Sequence, residues 1–368
     1  MDSRFLRNVL IKGLVLFLIL DLSFAALPAS LGKLSLYNHL FAGRQRFPFG
    51  EDSSQSYNLS LFNLDVMFAS HIISNGLKPA DEYRVIVIGD SSTWGTLLRP
   101  EETLAGQLDA AGRSLCGKTM RVYNLGYPTI SLTKDLMVLD YALRYQPDLV
   151  IWLVSLEAFP ADKQLSSLIV ANNAARVDEL IARYNLPLDP NDPALVRPGF
   201  WDSTLIGQRR TLADLFRLQT YGVLWTATGI DQTYPADYQR AQTDFNTDIT
   251  FHNMQPPTLD ASQLAFGLLE AGLRIAGGTP VILINEPMLI SVGENSDLRY
   301  NFLYPRWAYD QWREMMSARA EAGGWNYLDF WNIIPADEFT NSAIHLTPAG
   351  ESTLFGRVEQ TTLQQSCP

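Results

Sequence analysis

Apolar runs that alternate with helical patterns constrain the fold of this chain most strongly. The runs RVIVIG (84–89), PDLVIWLVS (147–155) and TPVILIN (279–285) are apolar almost throughout, as expected for strands covered on both faces of a parallel sheet. Two further strand-like runs are MRVYNLG and NYLDFWN, and helical patterns occupy residues 103–115, 135–145, 262–276 and 307–323. The alternation predicts an α/β fold with helices on both faces of a parallel sheet.

Residues 156–260 interrupt this alternation between the third and fourth strands. Two helical patterns, LSSLIVANNAARVDELIARY and LADLFRLQTYGVLWTA, lie there on either side of a Pro/Asp-rich loop. We predict a helical insertion beside the carboxyl edge of the sheet. Its apolar residues either pack on the core, which is the simpler interpretation, or face a substrate groove or a membrane; they are Phe216, Leu218, Tyr221, Val223, Leu224 and Trp225.

The N-terminal segment has a different composition from the rest of the chain. Arg4, Arg7 and Lys12 precede the run LVLFLIL, and basic residues before an apolar run favour a cytoplasmic N-terminus. Three interpretations stay open: an uncleaved signal-anchor, which we favour, a signal peptide cleaved near Ser23-Phe24-Ala25, and a buried helix. The first predicts a single-pass membrane protein with an extracytoplasmic domain, and the second predicts a secreted one.

We therefore divide the chain into three parts. Residues 1–30 are the predicted membrane segment, and residues 31–80 are a connecting segment that docks on the main domain. That domain occupies residues 81–368 and contains the insertion. The helical pattern LSLFNLDVMFASHII in the connecting segment has an apolar face for that docking.

Charge and cysteine content exclude several function classes. The net charge of −11 over 368 residues disfavours nucleic acid as a partner. The two cysteines, Cys116 and Cys367, either pair or stay reduced, and an extracytoplasmic location permits pairing. They and the four scattered histidines show no metal-ligand spacing, so we expect neither a metal nor another cofactor.

A serine and a histidine follow predicted strands at the edge where ligands bind in such sheets. Ser91 lies in GDSSTWG directly after the first strand, and His345 lies in NSAIHLTPAG after the last strand. A serine hydroxyl is a poor nucleophile unless a base removes its proton, and histidine is the usual base. The sequence therefore predicts a Ser91–His345 pair at one edge of the sheet, whereas His39, His71 and His252 are expected to be structural or surface residues.

The succession GDSSTWG, NLG after the second strand and HLTPAG near the C-terminus resembles the SGNH/GDSL hydrolase family over roughly residues 82–365. The resemblance implies a three-layer α/β/α, flavodoxin-like fold. By position it implies Ser91 as nucleophile, His345 as base, and Gly126 together with the backbone N–H of Ser91 as oxyanion donors.

Two positions depart from the pattern of that family. Glu157 occupies the place of an oxyanion-hole asparagine, where an ionised carboxylate would repel a developing oxyanion and a protonated one could donate. Ser342 occupies the place of the aspartate that orients the histidine. Asn341, a water molecule, or a more distant carboxylate such as Asp337 or Glu157 remains as the orienting group.

These residues predict a serine enzyme that hydrolyses or transfers an acyl group on a small-molecule or glycan ester. The family resemblance implies acetyl esters on cell-envelope glycans as the substrate class. The membrane is the second expected partner, through the N-terminal segment. The alternative is a catalytically weakened SGNH domain that binds glycan or an envelope partner, and the departures at Glu157 and Ser342 motivate it. The oligomeric state stays open.

Overall fold

The structure is a computed structural model that describes residues 2–26, 32, 35–50, 62–365 and 367. Six strands form one sheet: β1 (Glu82–Ile88), β2 (Ser114–Leu115), β3 (Lys118–Asn124), β4 (Leu149–Val154), β5 (Val281–Asn285) and β6 (Asn326–Asp329). The helices are α1 (Ser3–Ala26), α2 (Tyr37–Leu40), α3 (Leu64–Ser70), α4 (Ser91–Trp94), α5 (Leu104–Ala110), α6 (Leu132–Ala142), α7 (Leu168–Ala171), α8 (Ala174–Tyr184), α9 (Arg209–Thr228), α10 (Phe266–Ile275), α11 (Arg306–Gly323) and α12 (Pro348–Leu363).

The strand order of the sheet is β2-β3-β1-β4-β5-β6. The five longer strands are parallel, and the short β2 pairs antiparallel with β3 at the edge. In the register of the central pair, Val87 lies opposite Ile151. Without β2 the order is that of a flavodoxin-like sheet, so the predicted fold class is confirmed. The antiparallel β2 is an addition, because its SL dipeptide is too short to show a strand period in the sequence.

Apolar side chains leave both faces of the sheet, and each face has its own core. On one face Ile86, Trp152 and Leu283 pack with α6, α10 and α11. On the other face Val87 and Ile284 pack with α5 and α12. This double coverage explains why the central strands are apolar without alternation.

The insertion follows β4 and contains α7, α8 and α9, but its first helical pattern is broken in two. The break falls at Asn172 and Asn173, whose side-chain amides donate to the carbonyl oxygens of Leu168 and Ile169. Asn173 also donates to the carbonyl of Phe62 in the connecting segment, at 2.8 Å. Asparagine side chains that bond to nearby backbone compete with the helix, so the tertiary contact with Phe62 ends α7.

The helical pattern of the connecting segment is only partly described, because its residues 59–61 lie outside the described residues, as do residues 51–58 before it. The described part, α3, packs Leu64, Met67 and Phe68 into the core beside α6. Asn63 accepts a hydrogen bond from Val66 N at 3.1 Å and thereby caps this helix. Docking of the segment therefore rests on a buried apolar face.

Helix α1 is long and apolar enough to cross a membrane, and nearly all its side chains are exposed. It therefore differs from a buried core helix. A signal peptide and a membrane anchor have the same properties, so both interpretations of the N-terminal segment remain compatible with this helix.

A disulfide joins Cys116, beside β2, to Cys367 at the end of the chain. The Cα atoms of the two residues are 5.5 Å apart, and the sequence separation is 251 residues. A cross-link of this length removes much of the conformational freedom of the unfolded chain. It ties the C-terminal tail that follows α12 to the edge of the sheet.

Removal of this disulfide is expected to destabilise the domain. In a Cys116→Ser/Cys367→Ser variant the free energy of unfolding should fall by about 2–4 kcal/mol, because the unfolded chain regains conformational entropy. Urea unfolding in detergent, monitored by tryptophan fluorescence, measures the change. Wild type with reductant is the control, and equal stability of oxidised and reduced wild type would contradict the prediction.

A second prediction concerns Glu351 in α12, whose pKa is raised to about 8 by burial. Between the unfolded value and pH 8 the folded state retains a proton that the unfolded chain loses. This group therefore lowers the free energy of unfolding as the pH rises, by up to about 1.4 kcal/mol per pH unit. Unfolding curves of Glu351→Gln and wild type between pH 5 and pH 8 should diverge by this slope, with the variant the more stable at high pH; parallel profiles would show that Glu351 does not titrate in this range.

Candidate active site

The turn after β1 presents Ser91 as the first residue of α4. The Asp90 carboxylate accepts a hydrogen bond from the backbone N–H of Ser92 at 2.8 Å and caps the helix. Gly89 allows the chain to turn closely, because a Cβ there would lie 2.2 Å from Thr93 Oγ1. The first N–H groups of a helix have no intrahelical acceptor, so the N–H of Ser91 is available as a hydrogen-bond donor to an anion.

His345 reaches Ser91 from a loop at the other end of the sequence. The loop is closed by a bridge between Phe339 and Leu346, and by a hydrogen bond from Thr340 N to the His345 carbonyl at 2.8 Å. His345 Nε2 lies 2.8 Å from Ser91 Oγ, across a sequence separation of 254 residues. The predicted serine and histidine are therefore within hydrogen-bonding distance of one another.

Asn341 orients the histidine. Its Oδ1 lies 2.8 Å from His345 Nδ1, so the ring donates from Nδ1 and accepts the Ser91 hydroxyl proton at Nε2. Burial lowers the pKa of His345 to about 4. The ring is thus an unprotonated base at neutral pH, and Asn341 adds no charge to favour its protonated form.

An open cleft of about 620 Å³ lies over the Ser91–His345 pair. Its walls come from five parts of the chain: the connecting segment, the turn of Ser91, the loop after β3, the segment after α9, and the loop of His345. The lining is mainly apolar, with Phe49, Trp94, Leu97 and Ile130 beside the polar side chains of Thr129 and Gln232. Apolar walls with a few convergent polar groups are typical of small-molecule sites.

Two buried acids lie beneath the turn of Ser91. Burial, reinforced by repulsion from Asp90, raises the pKa of Glu286 well above its usual value, and burial also raises the pKa of Asp90. The Ser92 hydroxyl donates to the Glu286 carboxyl group. Lys134, itself buried, donates to the Gly89 carbonyl oxygen at 2.6 Å. These contacts fix the backbone on both sides of Ser91.

The other end of α4 is held by Arg46, from the connecting segment. Its guanidinium donates to the carbonyl oxygens of Trp94 and Gly95 at 3.0 and 2.8 Å and lies 4.3 Å from the centroid of the Trp94 ring. Asp231, which follows α9, pairs with Arg46 at 2.6 Å. Sequence reasoning missed this pair, because 185 residues separate its members and no local pattern marks either one.

Gly126 packs against α4, the helix that begins at Ser91. A Cβ at this position would lie 2.5 Å from Trp94 N, so a side chain cannot fit. Its own N–H donates to Asn124 Oδ1 at 3.0 Å. The predicted oxyanion role of Gly126 would therefore require its N–H to exchange Asn124 for the substrate, and this role stays a prediction.

Glu157 does not face the cleft. Its carboxylate is held by Lys163 at 2.5 Å and by His252 Nε2 at 3.1 Å. Burial raises the pKa of Glu157, but the hydrogen bond from His252 and the charge of Lys163 outweigh burial and lower it. An ionised carboxylate cannot donate a hydrogen bond, so the structure does not support Glu157 as an oxyanion donor.

Comparisons with known proteins give structural resemblance only. No protein-family model and no curated protein matches the chain. A solved member of the lipolytic protein G-D-S-L family from Veillonella parvula DSM 2008 is 10% identical, with a TM-score of 0.37, over 77% of this chain and 99% of that one. The aryl esterase of M. smegmatis is 15% identical, with a TM-score of 0.35, over 76% and 97%.

A carbohydrate acetylesterase family member from Sinorhizobium meliloti is 13% identical, with a TM-score of 0.35, over 77% of this chain and 99% of that one. Identities and TM-scores this low do not transfer an activity or a substrate to this chain.

The contact between Asn341 and His345 generates a prediction about the basicity of the ring. In an Asn341→Asp variant the pKa of His345 should rise from about 4 by at least about one unit, because a carboxylate at Nδ1 stabilises the imidazolium. NMR titration of ¹³C-labelled histidine measures this pKa, with the His345 signal assigned from a His345→Gln variant.

Ser342→Asp is the matched control. Ser342 occupies the aspartate position of the family resemblance, but the hydrogen bond to Nδ1 comes from Asn341. The pKa of His345 should therefore rise less in this variant. A larger rise in Ser342→Asp than in Asn341→Asp would show that Asn341 is not the orienting residue.

Proposed function

We propose that this chain is a serine esterase or O-acyltransferase of the SGNH/GDSL type. The observation that carries the proposal is the 2.8 Å contact between Ser91 Oγ and His345 Nε2, backed by Asn341 at Nδ1 and open to a cleft. A serine beside an oriented neutral imidazole is the arrangement that nucleophilic acyl transfer requires.

In the proposed reaction Ser91 Oγ attacks the carbonyl carbon of an ester while its proton passes to His345 Nε2. The bond to the alcohol oxygen then breaks, and His345 returns the proton to that oxygen. Water, or a sugar hydroxyl in a transferase, attacks the acyl-serine, and His345 carries the proton of this second nucleophile back to Ser91. The backbone N–H of Ser91 supports the oxyanion in both steps.

The substrate that fits best is a small acyl ester on a larger, solvent-exposed alcohol. Phe49, Trp94 and Ile130 offer apolar surface for the acyl group, and the open side of the cleft leaves room for an alcohol of any size. Acetylated glycans of the cell envelope meet both conditions. We propose them as the substrate class.

An extracytoplasmic, membrane-anchored location supports this substrate class. Basic residues precede an apolar helix long enough to span a membrane, as in a signal-anchor. The Cys116–Cys367 disulfide favours an oxidising compartment. Both features support a location of the proposed active site outside the cytoplasm, where envelope glycans occur.

Labelling with a fluorophosphonate, followed by intact-mass measurement, tests the proposal on the full-length protein in detergent. Wild type should gain one adduct. Ser91→Ala should gain none, and His345→Ala should react at least about 10²-fold more slowly, because the hydroxyl then keeps its proton. Ser92→Ala is the matched control, since the Ser92 hydroxyl faces Glu286 and should not be labelled.

Absence of an adduct on folded wild type would contradict the enzymatic proposal. It would favour the alternative of a catalytically weakened domain that binds glycan. Retention of the adduct in Ser91→Ala would show that another side chain is the reactive one.

A further inference from the structure

The insertion carries an apolar surface that no described part of the chain covers. We call it the outer apolar surface and define it by six exposed side chains: Phe200, Trp201, Ile206, Phe216, Val223 and Leu224. Trp201 and Phe216 are each 72% exposed. Phe200 and Trp201 pack edge to face, and Phe216, Val223 and Leu224 lie on one helix. Exposed apolar patches of this kind mark interaction sites.

Helix α9 shows that this surface is separate from the core. Leu215, Leu218 and Trp225 point inward and pack with Tyr37 and Val66. Phe216, Val223 and Leu224 point outward at helical spacing. A helix that is apolar on its inner face needs no apolar residues on its outer face for folding, so the outward residues require another explanation.

Helix α2 extends the surface. It packs on α9, and Gln219 accepts hydrogen bonds from the backbone N–H groups of Leu36 and Tyr37, at 2.8 Å each. Leu36 and Leu40 are exposed beside this contact. The apolar area therefore reaches from the insertion into the segment that directly follows the membrane helix in sequence.

The position of α1 indicates what covers the surface. Asp21 is buried, and its carboxylate accepts a hydrogen bond from the backbone N–H of Ile206 at 2.8 Å. The part of α1 before Asp21 is roughly 27 Å long at 1.5 Å per residue. The hydrocarbon core of a bilayer is about 30 Å thick. If α1 spans the membrane, Asp21 lies at the outer interface and holds Ile206 at that level.

The residues near Ile206 have the composition that is typical of the membrane–water interface. Trp201 and Phe200 form an edge-to-face pair, and aromatic rings concentrate at the membrane–water interface. Arg209, Arg210 and Arg217 are exposed on the same insertion, and exposed arginines on an interfacial helix favour lipid phosphates. Arg217 also pairs with Asp214 at 3.2 Å. Together, the apolar residues and the arginines have the character of a helix that lies in an interface.

We propose that the outer apolar surface is a second membrane contact, seated in the outer leaflet of the bilayer that α1 spans. This inference goes beyond the proposed function, because it assigns a lipid surface to the insertion and not only to α1. It also orients the domain. The chain that leaves α9 forms the Gln232 and Thr233 wall of the cleft, so the membrane contact is continuous with one side of the active site.

Fluorescence quenching on the full-length protein in nanodiscs tests the proposal. The discs contain phosphatidylethanolamine and phosphatidylglycerol, with or without a lipid that carries a nitroxide on its acyl chain. An environment-sensitive fluorophore is attached at Phe216→Cys or Val223→Cys. Both native cysteines are in the disulfide, so the label is specific. Quenching at these two positions should exceed that at the controls several-fold.

The matched controls are Leu77→Cys and Val292→Cys. Leu77 is 96% exposed in the loop before β1, and Val292 is 89% exposed in the loop after β5. They lie at opposite edges of the sheet and outside the outer apolar surface. The same tether serves all four positions, so a domain that rotates freely on α1 would show no preference for residues 216 and 223.

A second measurement needs no label. Quenching of intrinsic fluorescence by brominated lipid should fall in a Trp201→Phe variant relative to wild type, since the ring that contacts lipid is removed. Equal quenching at all four labelled positions, or unchanged quenching in Trp201→Phe, would overturn the proposal. A third result would show that a second copy of this chain covers the surface. The probes at residues 216 and 223 would then be buried but not quenched by the lipid nitroxide, and their burial would increase with the number of copies per disc. This result would also overturn the proposal.

Discussion

Parallel pairing of β1, β4, β5 and β6 is the constraint on which the site depends. Because these strands run in one direction, the loops that follow them meet at one edge of the sheet. Ser91 follows β1 and His345 follows β6, two strands that are not neighbours, yet Oγ and Nε2 lie within hydrogen-bonding distance. The apolar strands at the centre of the sheet are packed on both faces. This packing fixes the positions of the strand ends, and the strand ends in turn position the loops that carry Ser91 and His345.

Buried ionisable side chains hold the turn that presents Ser91. Lys134 and Glu286 hold the backbone and the neighbouring hydroxyl on the sheet side, while Arg46 holds the far end of α4 and is neutralised by Asp231. Burial of ionisable groups costs free energy and rarely stabilises a fold more than apolar packing would. Several such groups surround one helix of four residues. We infer that they fix the position of this helix and do not add to the stability of the fold.

The same contacts join parts of the chain that are distant in sequence. Arg46 belongs to the connecting segment and Asp231 to the insertion. Their ion pair lies against the C-terminal end of α4, where Arg46 donates to the Trp94 carbonyl oxygen. Through α2 and α9 these parts also carry the surface that we assign to the membrane. If the proposed membrane contact forms, a change in how the insertion contacts the bilayer acts on Asp231, Arg46 and the cleft wall together. The ion pair would then connect the proposed lipid contact with the candidate site.

The sequence by itself determined the fold class and predicted the pairing of Ser91 with His345, because apolar strand runs, helical periodicity and a serine directly after a strand are local signals. It left Asn341, a water molecule and distant carboxylates such as Asp337 open as the orienting group of His345, and it offered Glu157, if protonated, as an oxyanion donor. Only the tertiary structure decided that Asn341 contacts His345 and that Glu157 binds Lys163 and His252, because side-chain partners in loops depend on how the loops fold over one another. The Arg46–Asp231 pair was invisible for the same reason: its two members share no period and no motif, and only the packed chain brings them together.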